Sequence, residues 1–153
     1  VTQVVYDRWL ESSINIGASD ALNFIRNAAK KGKISPPWAD AVALRVAQGL
    51  LSALRDFGVL EGKVLKRISP PNLPIPCFVY VAFTIKHEAP SGQRVLEHPD
   101  WRLFLLNGGA LERLFMEAHQ QGFLRYDIMG NIMGIEFKET TLEELVDAIL
   151  ARV

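Results

Sequence analysis

Apolar residues recur at helical spacing through most of this chain, and two of the stripes end in the same way. Leu50 to Arg67 reads LLSALRDFGVLEGKVLKR, and Leu111 to Phe137 reads LERLFMEAHQQGFLRYDIMGNIMGIEF. In each, a helical run stops at a glycine, passes into a pair of large apolar residues and continues through basic residues and a turn. Each is therefore predicted as a helix that delivers its chain into a short hairpin. That is the back half of a winged helix-turn-helix, so the repetition points toward nucleic acid.

Upstream, Val4, Val5, Trp9 and Leu10 fall on one helical face, and Gly17 to Asp20 supply a break and a cap. A helix over residues 20–31 would bury Ala21, Phe24, Ile25 and Ala28, ending in Lys30-Lys31-Gly32. Ser35-Pro36-Pro37 reads as a serine cap with proline in the first turn. The helix it opens, Trp38 to Phe57, carries the stripe Trp38, Val42, Val46, Leu50, Leu54 and Phe57, joined to its predecessor by a short link. After Gly58, residues 59–68 form either a small hairpin or an extended link turning at Glu61-Gly62-Lys63. Four prolines within residues 69–76 then forbid a continuous helix or a central strand. They mark the predicted boundary between an N-terminal helix-turn-helix half, residues 1–72, and a C-terminal half with a hairpin wing, residues 73–153. One continuous globular domain is the alternative.

In the second half, Val79, Val81 and Thr84 favour a strand over Cys77–Lys86, whereas Pro76 in a first turn and Phe78, Val81, Ala82 and Ile85 at helical spacing favour a helix, which we adopt. A polar loop with Pro90, Ser91 and Gly92 leads to a short helix from Pro99 through Leu106. Asn107-Gly108-Gly109 separates it from a helix over Ala110–Gln121. Residues 123–128 and 132–137 flank Met129-Gly130-Asn131, a loop of hairpin length. Thr140 and Thr141 with Glu143 and Glu144 make overlapping capping boxes for a last helix, whose apolar face is Leu142, Leu145, Val146, Ile149 and Leu150. The fold class is mainly α, a compact helical fold with two winged-helix-like halves and a small C-terminal β-hairpin.

Charge changes this picture. The net charge of the 153 residues is zero, which argues against a nucleic-acid binder, but residues 21–70 hold nine Lys or Arg against three Asp or Glu, and residues 99–153 hold five against nine. An anion-binding surface is expected on the first half, from Arg26, Lys30, Lys31, Lys33, Arg45, Arg55, Lys63, Lys66 and Arg67. The competing reading is a solvated face, since lysines at a helix C-terminus have a structural reason to be there. The second would-be recognition helix exposes Glu112, Arg113, Glu117, His119, Gln120 and Gln121, whose carboxylates would repel phosphate. A wing used for protein contact is as plausible there as Arg125 touching a DNA backbone.

Little points to other chemistry. The single cysteine, Cys77, excludes an intrachain disulfide and suits a reducing cytoplasm, and it reads as a small buried apolar side chain. The longest apolar run, Ile75 to Ile85, is about half of a membrane span. No signal-peptide pattern is present, although a chain opening at Val1 suggests further residues upstream. His87, His98 and His119 lack metal-ligand spacing and read as surface histidines, His98 being placed to position the helix after it. The glycine clusters match no phosphate-binding fingerprint, and Trp9, Trp38, Trp101 and most phenylalanines read as core. The expectation is a non-enzymatic protein with no catalytic residues, no metal, no cofactor, no small-molecule substrate and no membrane association.

The assembled pieces resemble the BrxA family of bacteriophage-exclusion (BREX) defence systems, once catalogued as uncharacterised or inner-membrane proteins. The matching segments are RVAQGLLSALRDFGVLEG (Arg45 to Gly62), the connector ISPPNLP followed by FVYVAF, HPDWRLFLL (His98 to Leu106) and GFLRYDIMGNIMGIEFKETTLEELVDAIL. Together they span most of the chain. The resemblance implies a small, mainly α-helical, non-enzymatic protein with two helix-turn-helix motifs. It would bind double-stranded DNA alongside other phage-defence proteins, which would themselves supply methylation and ATP hydrolysis. By position, the family's first basic surface corresponds to Lys30, Lys31, Lys33, Arg45, Arg55, Lys63, Lys66 and Arg67. The acidic second half departs from that pattern. The rival expectation is a protein-protein scaffold without DNA contact, its partner held by the acidic face around Glu112 and Glu117.

Overall fold

The computed structural model describes residues 2–12, 14–130 and 132–152, and Asn131 of the predicted hairpin loop lies outside them. The chain is mainly α-helical with two small antiparallel sheets. It forms two compact units, the first made of Val1–Pro71 with Arg102–Leu105 and the second of Asn72–Trp101 with Leu106–Val153.

In unit 1 the elements run α1 (Thr2–Leu10), β1 (Asn15–Ile16), α2 (Ala18–Lys30), α3 (Asp40–Asp56), β2 (Leu60–Glu61) and β3 (Lys66–Ile68). The residues after Gly58 form the hairpin rather than an extended link. A third strand, β1, which the sequence pattern did not reveal, joins it in the order β1-β3-β2, with Asn15 opposite Arg67 and Leu60 opposite Ile68. Arg8 ties the entry together: its guanidinium donates to the Asn15 carbonyl at 2.8 Å and pairs with the Asp20 carboxylate, which also accepts the Gly17 N–H at 2.8 Å. One ion pair thus links the end of α1, β1 and the first turn of α2.

The buried face of α3 is Ala43, Ala47 and Leu51, flanked by the half-buried Val46, Leu50 and Leu54. The expected stripe was therefore rotated. Trp38, Val42 and Phe57 are exposed, Phe57 by 79%. Small alanines let α3 approach α2 closely, so side-chain size rather than hydrophobicity alone selects the buried face. Ser35 caps nothing: α3 starts at Asp40 with Ala39 as its extended N-cap. The residue before a proline is held out of the α region, so Ser35-Pro36-Pro37 prolongs the link to residues 31–39 instead of opening the helix.

Unit 2 runs α4 (Ile75–Glu88), α5 (Gly92–Leu96), α6 (Gly108–Gln120), β4 (Arg125–Met129), β5 (Ile132–Glu136) and α7 (Leu142–Leu150). The helix over the ambiguous 77–86 segment is present, with Pro76 in its first turn. Helix α5 replaces the expected loop, and the Ser91 hydroxyl accepts the Arg94 N–H at its start. Pro99–Phe104 is a 3-10 turn, and Asn107 caps α6 by accepting the Ala110 N–H at 3.0 Å, which draws Gly108 and Gly109 into the helix. An aromatic chain fills the core. Phe78 stacks on Trp101 at 5.3 Å and meets Phe115 edge-on at 4.9 Å, Phe115 stacks on Tyr126 at 5.4 Å, and the Trp101 indole donates to the Val95 carbonyl at 2.7 Å.

Both predicted glycine exits are reversed closures. Gly58 sits at φ 75° and donates to Arg55, with Val59 reaching back to Leu54; Gly122, at φ 72°, donates to His119, with Phe123 reaching back to Ala118. These are the bond pairs of a Schellman motif, and only glycine enters that region without strain. Of the face predicted for α7, Leu145 alone is fully buried, while Leu142, Val146 and Leu150 are exposed. The capping box is Thr141 with Glu144, whose carboxylate also accepts the Thr140 N–H at 2.8 Å and hydroxyl at 3.0 Å.

Two outcomes test this packing. Ala47→Leu forces extra methylenes between α2 and α3 and is expected to lower unfolding stability by about 1–3 kcal/mol in urea denaturation. The Thr140 N–H, then its hydroxyl and the Thr141 N–H, hold the exposed Glu144 carboxyl below its ordinary pKa. A depressed folded-state pKa contributes stability that is present above the unfolded value and is lost as pH falls through the folded one. Denaturation midpoints measured from neutral into acid should therefore fall less steeply for Glu144→Gln than for the parent, and identical slopes would contradict this assignment.

Candidate nucleic-acid interface

Unit 1 holds eleven Lys or Arg against six Asp or Glu, and unit 2 holds six against eleven. The charge asymmetry of the sequence is thus an asymmetry between folded units. The nine basic residues singled out above all belong to unit 1, but they are not equivalent.

Around the start of α3, Arg26 leaves α2 and bonds Asp40 at 3.0 Å, while Lys30, Lys31 and Lys33 are exposed at the end of α2 and in the following turn. Gly32 lets the chain reverse there, with its N–H on the Ala29 carbonyl and that of Lys33 on Ala28. The three lysines are fixed close to one another by this closure. An apolar hollow of about 280 Å³ lies beside them, lined by Ile25, Ile34, Pro37, Trp38 and the stems of Arg26 and Lys30. At the far end of α3, Arg55 is held to its neighbour Asp56 at 2.9 Å.

Arg45 projects from the middle of α3, opposite the Ala43–Ala47–Leu51 face, and Ala41, Gln48 and Gly49 are exposed beside it. Gln48 carries no sequence signal of its own, since a lone glutamine on a helix does not differ from any solvated polar side chain. Three residues after Arg45 in the same helix, it neighbours that side chain on the outward face. In the hairpin, Lys63 is exposed near the tip, with Val64 and Leu65 beyond it, and Arg67 is exposed on β3 opposite Glu61.

Lys66 does not belong to this surface. It is 7% exposed, and its ammonium donates to the Lys63 carbonyl at 2.8 Å inside the hairpin. The alternation of β3 places Lys66 and Ile68 on the inner face and Arg67 on the outer one. Among the described residues, the exposed cations with no carboxylate partner are then Lys30, Lys31, Lys33, Arg45, Lys63 and Arg67 of the original nine.

Unit 2 offers no comparable cation set on its α6. Glu112, Arg113, Glu117 and Gln120 are exposed, whereas His119 turns inward and its Nδ1 accepts the Tyr126 N–H at 3.1 Å, so it anchors β4 rather than facing solvent. His98 has the positioning role expected of it, its Nδ1 accepting the Asp100 N–H at 3.4 Å. Cys77 is exposed, not buried. Tyr126 is buried with its hydroxyl unpartnered, and burial followed by the Glu112 charge raises its pKa.

These features define a small helical protein of two hairpin-bearing units with opposite charge. The BrxA family model matches residues 1–84, which is more than half of the chain, and the chain belongs to the BrxA family. Membership carries a role in BREX phage defence. No curated protein and no solved structure matches it. Among the described residues, no helix is long and apolar enough to cross a membrane.

The division among the lysines is measurable. Lys66→Ala is expected to lower stability by about 1 kcal/mol or more through its lost stem packing and internal hydrogen bond, whereas Lys31→Ala should stay within about 0.5 kcal/mol. Equal effects in urea denaturation would remove the distinction.

Proposed function

We propose that this BrxA-family chain is a non-enzymatic DNA-binding accessory protein of its defence system, and that unit 1 docks on duplex DNA as a winged helix-turn-helix. The observation that carries the reading is the element order of unit 1, helix, strand, helix, helix and hairpin, with β1 paired to β3. In that arrangement α3 is the recognition helix and residues 61–66 are the wing. The link between α2 and α3 is longer than the three or four residues usual in helix-turn-helix pairs, and its exposed lysines suit it to the phosphate backbone.

The surface chemistry supports the same pose. Small residues, Ala41 and Gly49, flank Arg45 and Gln48 on the outer face of α3, so this 17-residue helix can approach a groove closely over about 25 Å. Arginine can pair with guanine and glutamine with adenine in the major groove. Lys30, Lys31 and Lys33 at one end and Lys63 and Arg67 at the other would neutralise flanking phosphates, and Arg26 and Arg55 offset the acids at the helix ends. Phosphate neutralisation of this kind releases counterions and supplies sequence-independent affinity.

A second reading, a scaffold for other defence proteins without DNA contact, draws on the exposed Trp38, Val42 and Leu44 around α3. The two readings separate in one titration. Fluorescence anisotropy with a duplex should show affinity that falls as salt rises. Charge reversal at Lys30, Lys31 and Lys33 together should weaken it for every sequence alike, and their neutralisation should flatten the salt slope by about one per lysine. Absence of binding at low salt, or an unchanged slope in the triple variant, would reject DNA docking and favour the scaffold.

A further inference from the structure

The two units treat the outer edge of their hairpins differently. In unit 1, β1 covers the outer edge of β3, and it comes from the seven residues between α1 and α2. In unit 2 the corresponding link, between α4 and α5, is only Ala89-Pro90-Ser91. It is too short to lay down a strand, and Pro90 has no N–H to donate. Among the described residues the second sheet contains β4 and β5 alone.

The register identifies which backbone groups this leaves without a strand partner. Tyr126 stands opposite Ile135, and the Tyr126 N–H is bonded outward to His119 rather than across to β5. The pair is therefore of the non-hydrogen-bonded kind, and the Ile135 N–H and C=O also point away from their partner strand. On the β4 side His119 meets the outward amide. On the β5 side no described residue bonds Ile135, which is only 3% exposed, so a partner reaches its backbone only by entering the groove beside it, and Phe137 continues the same edge. Beyond Met133 the start of α5 closes the edge, since a β-carbon on Gly92 would collide with the Met133 carbonyl.

A groove of about 630 Å³ runs along this edge, walled on the other side by Phe83, Lys86 and His87 of α4. Glu136 and Glu139 also line it, and neither is in an ion pair among the described residues. One Glu139 carboxylate oxygen, Oε2, is buried with no hydrogen-bond partner. Two carboxylates against one ammonium, in a unit that is acidic as a whole, favour a cationic occupant.

We propose that the outer edge of β5 is a strand-addition site that takes an extended basic segment of a partner protein, antiparallel to β5, with an Arg or Lys side chain reaching Glu139. Backbone pairing at Ile135 and Phe137 supplies the register, and the groove receives alternate side chains. The segment does in unit 2 what β1 does in unit 1.

The test uses the full chain, labelled with nitrogen-15, and a blocked hexapeptide alternating arginine and valine. Amide shifts centred on Gly92, Ile135 and Phe137 are expected. N-methylation of the peptide's pairing amides should abolish them. Glu139→Gln should weaken binding about two- to fivefold, the scale of one partly exposed ion pair, while Lys86→Met should strengthen it by a similar factor. Opposite signs in two folded variants cannot come from loss of structure. Shifts confined to the acidic faces of α6 and α7, equal binding of the N-methylated peptide, or no binding would each overturn the proposal. No DNA enters the measurement, so its failure leaves the reading of unit 1 untouched.

Discussion

Each unit depends on a glycine that turns a helix into a hairpin. At the ends of α3 and α6 the chain must reverse within one residue, satisfy the last helical carbonyls and bring the next residues back under the helix. Gly58 and Gly122 meet all three demands with the same pair of bonds. The residues that follow are then committed inward: Leu60 is buried in unit 1, and Phe123 and Leu124 are buried in unit 2. Once they are placed, hairpin register follows from the two-residue alternation, which sends Lys66 inside and Arg67 outside, or Tyr126 inside and Arg125 outside. The chemistry of each surface is thus set several residues downstream of the glycine.

This explains why the architecture was legible in the sequence while parts of the surface were not. Glycine exits, the Thr141–Glu144 capping box and the proline in the first turn of α4 are local devices, and local devices act as their spacing suggests. The exposed lysines of the α2–α3 turn were legible for the same reason, since charge at a helix exit needs no tertiary information. The burial of Lys66 is not legible because it depends on strand alternation within a hairpin that the sequence leaves open. The inward turn of His119 is not legible either, because its partner, the Tyr126 amide, is fixed by how α6 and β4 pack. Neither position carries a signal in residue type or spacing alone.

Hydrophobicity and burial part company most clearly on α3. Trp38 and Phe57 complete an apolar stripe in the sequence, yet the face of α3 that packs is centred on Ala43 and Ala47. A helix pair packs at the distance its smallest facing side chains permit, and large residues at the helix ends are then left outside. Strand β1 leaves no trace in the pattern because two residues, Asn15 and Ile16, carry no periodicity. Helix α5 is hidden because Pro90, Ser91 and Gly92 read as a loop, although the serine is its cap.

Besides the shorter α5 and the added α7 of unit 2, what separates the two sheets is the length of a link. A seven-residue connection in unit 1 supplies a third strand and closes the sheet edge, and the exposed cations of that unit lie in the α2–α3 link, at Arg45 and on the hairpin. A three-residue connection in unit 2 cannot reach, so the outer edge of β5 keeps its backbone groups beside a groove with unpaired carboxylates. Exposed strand edges invite pairing unless charge or steric cover prevents it. Here α5 covers only the Met133 end, and the charge nearby selects a basic strand rather than excluding all strands. The same framework thus gives one unit a three-stranded sheet and the other a two-stranded sheet whose outer strand borders a groove, with that difference written in four residues of connecting chain.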